Sequence, residues 1–349
     1  MQCKVLMEVD YARWDEYVKS HSLSSPYHLT AWKRAVEIAY GHQTHYLMAI
    51  ENNNIVGILP IVSVKTPLLV HELCSLPFCD LGGILAESNT VYEFLLQSAL
   101  DLVKQLKADK LSLRQTQSST VSEQEAEALS PGTKVRMILA LPESSQALLE
   151  GFKSKLRSQV RKSEKNGVSY ALRDDIEAKA AFYKVMQINM RQLGSPVHSR
   201  KWFESVMNAY QSDAKLFVAI FDNKIVGGSI LLLCNEVATV PWASTLPEYN
   251  RLAPNMALYW AMLEYAADHR FKRFDFGRSS IGEGTYNFKK QWGARPVPLD
   301  WQVFNNQGSK VEQSAGPSNI RERVAKIWSG LPAPVTNAAG PMLRKYISL

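Results

Sequence analysis

Two stretches of the chain share one alternation of apolar and polar positions. Residues 45–65 read HYLMAIENNNIVGILPIVSVK, and residues 215–245 read KLFVAIFDNKIVGGSILLLCNEVATVPWAST. In each, an apolar run meets a polar turn, and a second run then opens with Ile-Val-Gly, at Ile55 and at Ile225. The turns Asn52-Asn53-Asn54 and Asp222-Asn223-Lys224 use residues that tolerate the left-handed backbone of tight hairpins. Apolar spacing of three and four residues predicts helices over 12–21 and 30–39 before the first hairpin, and over 91–106 after it. A strand, KLSLRQT, follows from Lys110. Around the second hairpin the same signal predicts helices over 178–193, 201–209 and 255–269, with the strand RFDFG from Arg273. The order helix, helix, hairpin, helix, strand thus occurs twice. It predicts an α/β protein of two tandem domains, each a mixed β-sheet flanked by helices.

The polar stretch SSTVSEQEAEALSPG, residues 118–132, reads as the join. This divides the chain into an N-terminal domain, 1–132, a C-terminal domain, 133–310, and a helical tail, 311–349. After the join, MILALP predicts a strand and residues 144–166 one long helix. Between Lys153 and Lys165 that helix carries six basic residues against Glu164 alone. Lys153, Arg157 and Lys165 lie near one stripe, with Arg161 at the next turn along it. Like charges at this spacing repel, so Arg157, Arg161 and Lys162 are candidates for binding an anion.

Composition narrows the partners. With 40 Lys and Arg against 33 Asp and Glu, the formal charge of +7 suits a nucleic acid, a phosphorylated molecule or an anionic membrane. The four cysteines show no Cys-x-x-Cys or Cys/His cluster, so no metal is expected. No apolar run approaches the ~20 residues that span a bilayer, and the N-terminus has no cleavable signal pattern. The expected location is the cytoplasm. The tail interleaves basic residues with Ile327, Trp328, Leu331 and Leu343, and so could rest on the inner face of the membrane.

Several segments carry a family resemblance. LRSQVRKSEKNGV (156–168) and FDFGRSSIGEGTYNFKKQWG (274–293) resemble segments of the FemAB/FemX acyltransferases, which are built from two GNAT domains. HLTAWKRAVEIAYGHQTHYLMA, SLPFCDLGG, NMRQLGSPVHSRKWF and LPAPVTNAAGP are most similar to the FemAB-like subgroup of exosortase/PEP-CTERM and exopolysaccharide systems. The resemblance implies transfer of an aminoacyl or acyl group to an amine on a cell-envelope or exopolysaccharide precursor. The precursor would be phosphorylated, or linked to a nucleotide or lipid. The donor would be aminoacyl-tRNA, an acyl-carrier thioester or acyl-CoA, so tRNA or an acyl carrier protein is a possible partner; no tightly bound cofactor is implied.

Amide formation of this kind needs oxyanion stabilisation and alignment, and neither a metal nor a protein nucleophile. Lys289 is the candidate for an oxyanion or phosphate contact. Tyr286 is a candidate hydroxyl donor, and Arg278, ending the strand, a bidentate anion ligand. Asp275 alternates with Phe274 and Phe276, which places it on the opposite face of the sheet, where it would orient Arg278 or take the amine proton. By the resemblance, His198, Arg200 and Lys33 stand near phosphate-contacting positions of the relatives. Two departures stand out. Arg251-Leu252-Ala253-Pro254-Asn255-Met256 lacks the glycines of a CoA pyrophosphate loop, leaving Asn255 as a candidate helix cap. Leu113-Arg114 is followed by Gln115-Thr116-Gln117, where relatives have a carboxylate. The alternative reading is a non-catalytic GNAT module that binds an anionic precursor or a membrane surface.

Overall fold

A computed structural model describes residues 1–116, 125, 128–311 and 318–348. The expected join falls largely outside them. The chain forms two compact units: Met1–Thr120 with Pro298–Ser318 and Met342–Leu349, and Val121–Val297 with Asn319–Pro341. Each unit therefore gathers segments distant in sequence, including parts of the expected tail.

In unit 1, strand β1 (Gln2–Val5) precedes helices α1 (Tyr11–Ser20) and α2 (Thr30–Tyr40). Strands β2 (Gln43–Thr44), β3 (Leu47–Glu51), β4 (Asn54–Leu59), β5 (Val62–Thr66), β6 (Val70–Cys74) and β7 (Leu85–Ala86) follow, then α3 (Asn89–Gln105) and β8 (Lys110–Thr116). One sheet has the order β1-β3-β4-β7. In the other, β2 pairs β5, β5 pairs β6, and β6 runs parallel to β8. Leu95, Ala99 and Val103 of α3 bury one stripe against Leu59, Leu111 and Leu113, the helical spacing expected of a core-facing stripe.

In unit 2, β9 (Lys134–Ala140) is followed by α4 (Ser145–Gly151) and α5 (Ser154–Lys165). The single long helix expected over 144–166 is therefore broken. Phe152, with φ −73° and ψ 148°, leaves the helix so that its ring can pack on Trp260 and Trp292, at 6.3 and 5.6 Å between centroids. Strand β10 (Ser169–Arg173), not anticipated, is followed by α6 (Ile176–Gln192), α7 (Arg200–Tyr210), β11 (Ala214–Phe221), β12 (Lys224–Cys234), β13 (Val237–Thr245), α8 (Pro254–Asp268), β14 (Arg273–Ser280) and α9 (Gly284–Gln291). The sheet order is β10-β11-β12-β13-β14-β9. Strand β15 (Arg295–Asn305) returns the chain to unit 1, where Leu299–Asn305 pairs antiparallel with β8, and β16 (Lys310–Val311) pairs β15. The tail forms α10 (Ser318–Gly330) and α11 (Ala333–Arg344).

The duplication extends to single residues. Asn52 and Asn53 have φ of 48° and 64°, and Asp222 and Asn223 have 49° and 57°, the paired left-handed residues of a type I′ hairpin. Ala49 faces Gly57 and Ala219 faces Gly227, and each ladder slips immediately after, between Ala49 and Ile50 and between Ala219 and Ile220. The two glycines serve one purpose. A Cβ on Gly57 would meet Val91 of α3 at 2.5 Å, and one on Gly227 would approach Leu258 of α8 at 3.1 Å.

Candidate active site

Strands β13 and β14 run parallel but share a ladder only at Val237–Arg273, Ala238–Phe274 and Thr239–Asp275. Beyond it, β13 stays paired with β12 through Thr245, and β14 stays paired with β9 through Ser280. Two neighbours that each keep their outer partner and lose one another must part, so a slot opens in the sheet of unit 2. Its cause is legible in the residues. Pro241 has no N–H to offer a ladder. On the other strand, Gly277 takes φ 74° within an irregularity between Asp275 and Arg278, where three steps along β14 match two along β9. That is a β-bulge, which bends its strand and re-aims side chains.

The bulge is held by charged groups. Asp275 is 1% exposed. Its Oδ1 accepts the Gly277 N–H at 2.9 Å, and its Oδ2 accepts two bonds from the Arg136 guanidinium on β9, Nε at 3.1 Å and Nη2. From α9, Lys289, 7% exposed, donates to the carbonyls of Gly277 at 3.1 Å and Arg278 at 2.7 Å. Arg278 stands opposite Arg136 in the register. The structure thus brings Asp275, Arg278 and Lys289 together. It corrects one expectation: the ion-pair partner of Asp275 is Arg136, because the antiparallel neighbour β9 sets that guanidinium beside the carboxylate. Arg136 was missed because the strand expected there began one residue later. Its signal was the alternation Val135-Arg136-Met137.

Hydroxyls flank the slot. The side-chain oxygens of Thr239, Ser244 and Ser279 are buried and have no hydrogen-bond partner among the described residues, an arrangement proteins seldom leave without reason. Trp242, on the same strand as Thr239 and Ser244, belongs to an aromatic cluster. Its ring lies 5.1 Å from Phe203 and 6.2 Å from both Trp202 and His198.

Other candidates have different surroundings. Tyr286 packs in the core of unit 2, with the Lys290 ammonium 5.8 Å from its ring centre. Nη1 of Arg157 donates to the carbonyls of Glu150 at 3.1 Å and Phe152 at 2.6 Å, clamping the break between α4 and α5. Arg161 and Lys162 are exposed on α5, and Arg161 lines a shallow cavity with Arg157 and Glu150. His198 is 4% exposed and stacks on Trp202 at 5.4 Å. Arg200 lies at the surface, paired with Glu204 one turn on at 2.7 Å. Asn255 does not cap α8: the N-cap is Ala253 at φ 61°, Pro254 occupies the first turn, and no side chain caps the end. In unit 1, Lys33 binds Glu37 at 2.8 Å and lies over the Tyr11 ring. Burial opposes its charge, yet Glu37 and Tyr11 outweigh that and its pKa is raised. Its ammonium thus contacts neighbours on its own helix turn and on α1.

Unit 1 repeats the strand geometry without the opening. Strands β6 and β8 share a parallel ladder only at Glu72–Lys110, Leu73–Leu111 and Cys74–Ser112. There the side chain of Arg114, 4% exposed, fills the position beyond. It donates to the carbonyls of Leu76, Cys79 and Ser348 at 3.0, 2.9 and 2.8 Å. The loop SLPFCDLGG is what Arg114 holds.

Comparison with known proteins covers the same region. The family described as "Acetyltransferase (GNAT) domain" matches residues 151–290, which contain the slot and Lys289. The chain is 22% identical to the lipid II:glycine glycyltransferase of Staphylococcus saprophyticus, over 80% of this chain and 87% of that protein. It is 21% identical to the Staphylococcus aureus protein of the same name, over 82% and 89%. Among solved structures, FemX aligns with TM-score 0.68 at 18% identity, over 88% of this chain and 98% of that one. A tandem GNAT protein from the clavulanic acid pathway aligns with TM-score 0.55 at 12% identity, over 88% and 98%. The chain is an acyltransferase with the fold of tandem GNAT proteins, and it is similar to FemX and to the lipid II:glycine glycyltransferases.

Proposed function

We propose that the protein forms an amide by moving an aminoacyl group from an ester to a primary amine on a lipid- or nucleotide-linked precursor of the cell envelope. The amine nitrogen attacks the carbonyl carbon with its lone pair. The ester C–O bond then breaks, the leaving oxygen keeps that electron pair, and the ammonium proton passes to the leaving group. The slot in unit 2 is the observation that carries this reading. In a strand, alternate main-chain groups point to either neighbour. Past Thr239 the β13 amides on the β14 side have lost that ladder. Main-chain N–H groups at the end of a ladder are donors that a carbonyl oxygen turning into an oxyanion can use. One such donor is worth about 2.7–4 kcal/mol in the transition state. Lys289 acts as a positioning residue that fixes the bulge, and Arg278 offers its fork to an anionic part of the substrate at the slot's other flank.

The donor favoured is an aminoacyl-tRNA over acetyl-CoA. The turn before α8 lacks glycines, and Pro254 removes one of the amides that would hold a pyrophosphate at a helix start. The glycyltransferase relatives support transfer of an amino acid. The precursor favoured is lipid-linked. On α10, Val324 and Ile327 are 58% and 67% exposed beside exposed Arg323 and Lys326, a combination suited to an anionic bilayer surface.

The test is a product assay. Purified protein is given an amine-bearing envelope precursor with either charged tRNA or acetyl-CoA, and the amide is sought by mass spectrometry. Amide from the charged tRNA is the expected outcome. Lys289→Met should lower kcat about 100-fold, the scale of an ångström's misalignment, with an unchanged circular dichroism spectrum. Undiminished turnover in this variant would remove the bulge from the mechanism, and absence of any amide would remove the reading.

A further inference from the structure

Unit 1 contains a cavity of about 370 Å³ that lies outside the matched GNAT domain. Its polar lining includes His21, Asn89, Tyr92, Gln115, Thr116 and Asp300, set among leucine and isoleucine side chains. The protein has 40 Lys and Arg, yet none of them lines this space among the described residues. Asp300 is its one carboxylate among the described residues.

The two histidines at the wall bond to main-chain groups. Nδ1 of His21 accepts the Leu23 N–H at 3.2 Å. Nδ1 of His28 accepts the Ser25 N–H at 3.2 Å, and its Nε2 donates to the Gly83 carbonyl at 3.2 Å. Asp300 therefore sets the sign of the cavity. Its Oδ2 accepts the Gln302 amide at 2.5 Å, and its Oδ1 has no hydrogen bond among the described residues. Directly across the ladder from Asp300 stands Gln115. The Gln115 amide and the Tyr92 hydroxyl bond one another at 3.2–3.3 Å. Burial, and then the negative charge of Asp300, push the Tyr92 pKa up, so the carboxylate is felt across the space. The loop wall is pressed close: a Cβ on Gly83 would fall 2.2 Å from Cγ of Gln115.

We propose that this cavity binds a small molecule, or the terminal group of a larger one, that carries a primary amine. The ammonium sits against Oδ1 of Asp300, and neutral hydroxyl or amide groups of the ligand are met by Gln115, Asn89 and Thr116. A carboxylate with an unused oxygen, in a half-open cavity without a cationic side chain among the described residues, attracts a cation and repels phosphates. The volume, near the lower end for ligand sites, fits one sugar or one amino-acid side chain and excludes a nucleotide. The proposal does not rest on the transfer chemistry of unit 2.

Calorimetric titration of the full chain tests this with two matched pairs of probes. One is glucosamine against N-acetylglucosamine; the other is Nα-acetyl-lysinamide against its Nε-acetylated form. At least one free amine should bind, and acetylation should weaken it about tenfold or more. Asp300→Asn should weaken the same amine about tenfold with an unchanged melting temperature. Gln115→Leu should lower affinity while keeping the preference for the amine. Equal affinity within each pair, no binding by either amine, or an Asp300→Asn variant that binds as well as the parent would overturn the proposal. None of these outcomes bears on whether the protein makes an amide.

Discussion

The ion pair between Arg136 and Asp275 decides whether the bulge survives. Asp275 is nearly inaccessible, and both of its oxygens are engaged, by Gly277 and by Arg136. Removing one member of a buried pair leaves the other charge uncompensated and costs about 3–5 kcal/mol. Asp275→Ala should therefore lower stability by roughly that amount. Combining it with Arg136→Met should recover a good part of the loss, because the orphaned guanidinium goes too. Urea denaturation of the two single variants and the double variant checks this. Additive losses would mean that the pair is not the unit that matters. Activity should not return with stability, since the double variant still lacks the carboxylate that anchors the Gly277 amide. Of the charged residues at this node, Lys289, Arg278 and Asp275 were legible because they lie within one short segment. Arg136 lies 139 positions from its partner, and only the sheet order brings β9 beside β14.

At the scale of elements, the repeated hairpin is the strongest signal in the chain, and it makes a testable demand of its glycines. A methyl group on Gly57 would clash with Val91 at 2.5 Å and press on the Leu85 carbonyl at 3.1 Å. Val91 is a buried β-branched residue in the first turn of α3, with little freedom to turn aside. Gly57→Ala should thus destabilise by about 1–3 kcal/mol, the scale of overpacking, measured as a lower denaturant midpoint with an unchanged slope. A neutral result would show that α3 can shift away. The helices and hairpins around this glycine were readable because each buries one periodic face. The break between α4 and α5 was not, because it answers to Phe152 finding Trp260 and Trp292, far along the chain. The slot was hidden for a similar reason. Pro241 and Gly277 are visible as letters, but only the partial ladder between β13 and β14 shows that both act at one opening. In unit 1 the same strand geometry is closed by Arg114, whose three carbonyl partners no local pattern announces.

For the molecule as a whole, the excess of positive charge is concentrated rather than spread. On α5, Lys155, Arg161, Lys162 and Lys165 are exposed, with Glu164 the acidic residue among them. The first turn of that helix carries no acid, although a helix start favours negative charge. Such an arrangement costs stability, which is understandable if a polyanion supplies the missing charge. The choice of donor makes this quantitative. Binding of a nucleic acid releases counterions, so affinity falls steeply with salt, by about 0.7–0.9 in log–log slope for each phosphate neutralised. If the donor is aminoacyl-tRNA held on α5, KM for the charged tRNA should rise steeply as salt is increased. Replacing Arg161 and Lys162 by Gln should reduce the slope by about two and leave kcat unchanged, because neither residue reaches the slot's flanks in sequence or in hydrogen bonding. Kinetics at a series of potassium chloride concentrations read both quantities. A salt-independent KM, or a double variant whose slope equals that of the parent, would take the tRNA off this helix, and would return the basic face of α5 to the role of a solvated surface.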